Sequence, residues 1–98
     1  MNKRTVIATL ERHADAIRAR GVERLYLFGS TARGAARPES DVDLFIDVRR
    51  GARFSLIELI ALRTYLSRLL RAHADVFTRR SLHRVIRRDV VKAAVRIL

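Results

Sequence analysis

The chain has 98 residues, almost half of them hydrophobic, so one small domain over 1–98 is expected, burying roughly two thirds of its unfolded surface in a single core. It has no cysteine, which excludes a disulfide framework and a thiolate zinc site. Lysine and arginine number 21 against 10 aspartates and glutamates, a formal charge of +11 that attracts phosphates, nucleic acid or an acidic protein, unless the surplus only clothes solvated helix faces.

The opening residues, MNKRTVIATLERHADAIRAR, are basic, but their apolar run breaks at Glu11 and Arg12. They read neither as a secretory signal nor as a membrane span, and a cytoplasmic setting without a membrane partner is the expectation. Over 5–20, Val6, Ile7, Leu10, Ala14 and Ile17 fall on one helical stripe that Gly21 ends. A short buried strand is expected at 25–28. Residues 30–36 read as a short helix opened by a Ser30 cap, and 36–40 as the loop out of it.

The next strand, 42–48, alternates. Val42, Leu44, Ile46 and Val48 point to one face, and Asp41, Asp43, Phe45 and Asp47 to the other. Residues 55–58, SLIE, fit a capping box for a helix to about residue 72, burying Leu56, Leu59, Ile60, the Arg63 stem and Leu66. ADVFT at 74–78 is a third strand. From 82 to about 96 the pattern is again helical, with Val85, Ile86, Val90, Ala94 and Val95 inward. The expected class is α/β (α+β): a small mixed β-sheet in the order α-β-α-β-α-β-α, helices packed on one face and the other partly open where the aspartates point.

Asp41 and Asp43, at i and i+2 on a strand, project side by side, and their mutual repulsion and desolvation favour proton uptake unless a cation intervenes. Hard oxygen ligands on a rigid strand suit Mg²⁺, and Asp75 on a neighbouring strand offers a third carboxylate. Three carboxylates can hold two metal ions, one activating an attacking hydroxyl and one stabilising a leaving phosphate. Gly29 lets a phosphate approach the backbone, and Ser30 offers a hydroxyl and free N–H groups at a helix start. Arg33 either reaches the same phosphates or is a surface arginine. Together these residues describe a site for a nucleoside triphosphate. Two Tyr, four Phe and no Trp, without basic–aromatic alternation, argue against a single-strand nucleic-acid platform. His13, His73 and His83 lack metal-ligand spacing and read as surface or boundary residues, and Tyr26 and Tyr65 as core or rim. Phe45 and Phe77 either meet a partner or adenine on the open face, or are covered by a terminal helix.

GSTARGAARPESDVDLFIDV, residues 29–48, resembles the GSx10DxD signature of the DNA polymerase β-like nucleotidyltransferase superfamily, and in particular its minimal MntA-type antitoxins. The resemblance covers nearly the whole chain: Gly29, Ser30, Arg33, Gly34, Ser40, Asp41, Asp43 and Leu44, the later ADVFT, and the closing helix-like segment. It implies ATP- and Mg²⁺-dependent transfer of AMP, with pyrophosphate released, to a tyrosine on a HEPN-domain ribonuclease toxin. On that resemblance Asp41 and Asp43 hold metal, Asp75 assists one metal and deprotonates the acceptor, and Gly29 and Ser30 bind triphosphate. Only about one helix is expected after Asp75, which favours a macromolecular acceptor bringing its own surface. Two alternatives stay open: an antitoxin that neutralises by binding alone, and a transferase acting on RNA or a small molecule.

Overall fold

The computed structural model describes residues 2–35, 41–85 and 88–98, with the side chains of 83, 85 and 90 outside the description. The first helical stripe folds as two helices, α1 (Lys3–Arg12) and α2 (Ala14–Ala19). The break comes at His13, whose ring Nδ1 lies 2.8 Å from the Thr9 carbonyl and takes the place of the backbone bond that would continue the helix. The stripe itself is as expected: Val6, Leu10 and Ile17 are buried, and Ile7 and Ala14 pack at its edge. Gly21, at φ 98°, ends α2 in a conformation that favours glycine.

The first strand, β1 (Val22–Phe28), is longer than expected because its register slips between Val22 and Arg24, which puts Val22 back on the core face despite the broken alternation. A single turn, α3 (Gly29–Ala32), follows, then β2 (Val42–Val48), antiparallel to β1. The next helix, α4 (Leu56–Leu70), crosses over to β3 (Ala74–Thr78), which lies parallel to β2. Helices α5 (Arg79–Val85) and α6 (Arg88–Lys92) and a two-residue strand, β4 (Val95–Arg96), complete the order. The expected final helix therefore gives way to a strand, antiparallel to β1, and the sheet runs β3-β2-β1-β4. Here tertiary pairing overrides the helical period: β4 satisfies the otherwise unpaired outer edge of β1, and the Ile97 N–H donates to the Leu25 carbonyl at 2.7 Å. Ala94 and Val95 are half-buried, on opposite faces of the sheet; Ile86 and the side chains of Val85 and Val90 lie outside the described residues.

Val42, Leu44 and Ile46 bury one face of β2 against α1, α2 and α4. Along α4 the buried residues are Leu62, Leu66 and Leu70, while Leu56 and Ile60, expected inside, are exposed. Apolar residues surround the first half of that helix, so its periodicity could not select the inward face. Ser55 does open α4, though its hydroxyl donates to the Glu58 side chain instead of accepting from the backbone. The opposite sheet face is open only in part. Phe28, Phe45 and Leu82 form a second buried cluster with Tyr26, Phe77, Val91 and Ala94 around it, so the last helices cover the aromatic residues and, among the described residues, leave the aspartate end uncovered.

Candidate active site

The uncovered end is built at the point where β1 stops and β2 and β3 begin. Asp43 pairs in register with Phe28 of β1 on one side and with Asp75 of β3 on the other. The β-strand pleat therefore sends the Asp43 and Asp75 carboxylates out of the same face, as the parallel register of ADVFT against VDLFI dictates. Both side chains are only half-buried, so they remain within reach of a ligand.

The chain turns from β1 into α3 at Gly29, where φ is 74°. A Cβ there would collide with the Asp43 carboxylate and lie 3.3 Å from its Cγ. Glycine is thus required twice over, by the backbone angle and by the carboxylate. Ser30 is the second residue of the turn, not its cap: the cap position belongs to Phe28, which makes no side-chain capping bond. Ser30 is half-buried, and Thr31 and Ala32 are buried beneath it. Arg33 is exposed at the far end of the turn, and its charge acts on Asp43. A cleft of about 200 Å³ lies beside it, lined by Gly29, Ala32 and Arg33 of the turn and Asp89 and Ala93 from the α6 side.

Asp43 holds its proton more tightly than an ordinary aspartate. Burial is the largest cause, followed by the negative charges of Asp75 and Asp41; Arg33 pulls the other way. Asp41 is exposed at the mouth of β2, where its Oδ1 lies 3.3 Å from the Nδ1 of His73. His73, read from the sequence as a surface or boundary residue, reaches the rim of the site from the loop before β3. No signal in the sequence joins the two, because only the parallel register brings residue 73 beside residue 41. The backbone confirms the proximity: the Val42 N–H donates to the His73 carbonyl at 2.9 Å. Ser40 and the 36–40 loop lie outside the described residues.

The donor set suits a hard divalent cation. Carboxylates stand on two adjacent strands, and burial, followed by like-charged neighbours, already disfavours the Asp43 anion. Among the described residues, no three His, Cys, Asp or Glu side chains are gathered into a cage that could hold an ion unaided. Mg²⁺ does not require one, because it is commonly held by one or two carboxylates with substrate phosphates and water completing the shell.

A family model, the nucleotidyltransferase domain, matches residues 10–97, a span that takes in the Gly29 turn and both carboxylate-bearing strands. The chain belongs to the nucleotidyltransferase family. It is similar to the protein adenylyltransferase MntA of Thermococcus cleftensis, 36% identical over 87 residues, which are 88% of this chain and 86% of that one. A Methanocaldococcus jannaschii protein provisionally assigned as a protein adenylyltransferase is 32% identical over 96 residues, 98% of this chain and 94% of the relative. Among solved structures, one provisionally assigned as a minimal nucleotidyltransferase superimposes with a TM-score of 0.79 at 32% identity, covering 97% of this chain and 95% of the other. A toxin–antitoxin assembly solved with AMP-PNP shares the fold at a TM-score of 0.70 and 23% identity, over 100% of this chain and 73% of that chain. This nucleotidyltransferase is accordingly an enzyme with a mixed α+β fold, as its motif implies.

Proposed function

We propose that this nucleotidyltransferase transfers AMP from ATP to a tyrosine hydroxyl of a HEPN-domain toxin, and so serves as the antitoxin of a toxin–antitoxin pair. The carrying observation is the in-register placement of Asp43 and Asp75 beside the Gly29 turn, with the Asp43 anion disfavoured by its surroundings. Support for a protein acceptor comes from relatives that carry the name protein adenylyltransferase along nearly their whole length. Support for a toxin partner comes from the shared fold of the toxin–antitoxin assemblies.

Asp43 and Asp41 hold Mg²⁺ on this reading, with Asp75 assisting. Held by these carboxylates, Mg²⁺ would supply positive charge to offset the negative charge of the triphosphate and of the departing pyrophosphate. The open backbone at Gly29 admits the phosphates and the Ser30 hydroxyl donates to one of them, while Arg33 offers a guanidinium from the end of the turn. Asp75 accepts the proton of the acceptor hydroxyl. The freed oxygen forms a bond to the α-phosphorus as the bond from that phosphorus to the pyrophosphate oxygen breaks. The aromatic cluster beneath fixes the strands that carry both carboxylates, so their geometry is set before substrate arrives. ATP as donor implies a cytoplasmic setting, and no helix among the described residues is long and apolar enough to cross a membrane.

The test is incubation with labelled ATP, Mg²⁺ and the protein encoded by the neighbouring gene, which this reading expects to carry a HEPN domain. Label should appear on that protein and be lost with Asp43→Asn. Label on RNA instead would replace the protein acceptor with a nucleic acid, and neutralisation by Asp43→Asn at full strength would replace transfer with simple binding.

A further inference from the structure

The longest helix carries its least protected apolar residues far from the catalytic end. In the first two turns of α4, Leu56 is 69% exposed, Ile57 77% and Ile60 50%. At about 100° per residue the three share one outward face. Adjacent large aliphatic side chains left this open on a helix mark a surface that meets something.

Beside them lies a cleft of about 290 Å³ between the end of α2, the turn after β2 and α4, and its lining includes Arg20, Arg49 and Arg53. Two of these guanidinium groups are held in place. Arg49 donates to the Arg18 carbonyl at 2.8 Å, and Arg20 lies 4.3 Å over the Tyr65 ring. Each guanidinium has five N–H donors, so both keep donors for an incoming carboxylate. The acid in the lining, Glu58, already accepts from Ser55.

We propose that this face of α4 and its arginine cleft are the docking surface for the acceptor protein, which presents an apolar patch flanked by carboxylates. The occupant follows from charge. A second copy of a chain with a formal charge of +11 would set arginine against arginine. RNA would satisfy the arginines but leave three aliphatic side chains without a stacking role. An acidic protein surface satisfies both halves. By helix rise, Ile57 stands roughly 20 Å along α4 from Leu70, the end that leads into β3 and Asp75. Docking and chemistry thus lie within one small domain's length, and a partner gripped at one end presents its hydroxyl at the other. The proposal rests on the protein-acceptor reading, and names where that acceptor is held.

The probe is the purified protein encoded by the neighbouring gene, with binding measured by calorimetry on the full chain. Ile57→Ser with Ile60→Ser should weaken binding about tenfold or more and raise KM for the protein acceptor, with AMP-PNP affinity unchanged. Arg53→Glu should slow association and flatten its salt dependence. Asp43→Asn should bind the probe normally and fail to label it, which separates the two ideas: labelling by that variant overturns the activity, and undiminished binding by the Ile57/Ile60 variant overturns the docking surface. No binding by the wild-type chain overturns it too. So does wild-type self-association that the Ile57/Ile60 pair abolishes while probe affinity holds, or loss of affinity confined to a 20-nucleotide RNA. Should the double variant fail to fold by circular dichroism, Leu56→Gln carries the same test.

Discussion

Asp43 and Asp47 occupy the same strand and face of the sheet, yet the fold treats them in opposite ways. Asp43 is left among like charges and burial, which raise its proton affinity. Asp47 receives a two-pronged bond from Arg79, at 2.7 Å to Oδ1 and 3.0 Å to Oδ2, and that bond, above all else, lowers its proton affinity. Arg79 in turn lies 5.0 Å over Tyr26 and 5.1 Å over Phe45, which stack on each other at 4.6 Å. One carboxylate is neutralised inside the protein and serves the fold. The other is left mainly to burial and like charges, and on the proposed reading it serves the chemistry. Residue type and strand parity are the same for both, so the neighbours assign the role.

Breaking the contrast at its catalytic end should give the largest effect. Asp43→Asn is expected to lower AMP transfer by more than the 10–100-fold typical of losing a mere second-sphere partner of a metal. It should not lower the unfolding midpoint in metal-free buffer, because the anion it removes was disfavoured there. The sign supports this: a raised folded-state pKa means that ionising Asp43 costs stability as pH climbs through and above the usual value near 3.8. A fall in the metal-free midpoint would show that Asp43 serves the fold after all.

Gly29→Ala comes next. It combines a strained φ of 74° with a clash against the Asp43 carboxylate, and should cost about 1–3 kcal/mol in chemical denaturation and weaken nucleotide binding in the same protein. Wild-type stability and affinity would remove Gly29 from the site.

At the structural end, Asp47→Asn should leave transfer nearly intact but cost about 1–2 kcal/mol, the range for a charged hydrogen bond discounted for partial exposure. Because the folded pKa of Asp47 lies below its unfolded value, its contribution is present above that unfolded value and fades as pH falls through the folded one. Acid unfolding of Asp47→Asn should therefore show a shallower pH dependence than wild type. An unchanged profile would demote the Arg79 bond to a surface contact. Smallest of all, Ser30→Ala should weaken ATP binding by about 1 kcal/mol, the net worth of one hydrogen bond.

The strands that carry this contrast were legible in advance, though the contrast itself was not. The strand bounds Val42–Val48 and Ala74–Thr78 followed from alternation and composition, and the opposite faces of Val42 and Asp43 from the pleat. Less legible were the elements where local pattern and pairing disagree. The β1 strand begins at Val22, but the slip near Arg24 breaks the alternation that would have revealed it. The closing residues repeat at helical spacing, yet Val95 and Arg96 join the sheet because the edge of β1 needs a partner. In α4 the apolar residues encircle the first turns, so the choice of Leu62 over Ile60 as the inward residue belonged to packing alone.

The sequence by itself determined the chemistry: which carboxylates stand on which strand face, and the glycine that must precede them, since both follow from two-residue periodicity and from the size of a missing Cβ. Tertiary structure alone decided which of those carboxylates is free. Arg79 comes to Asp47 across 32 positions of chain, His73 to Asp41 by the parallel register, and the aromatic cluster is sealed by Leu82. No local spacing encodes such meetings, because electrostatic neighbours are set by how strands pair and not by their order along the chain.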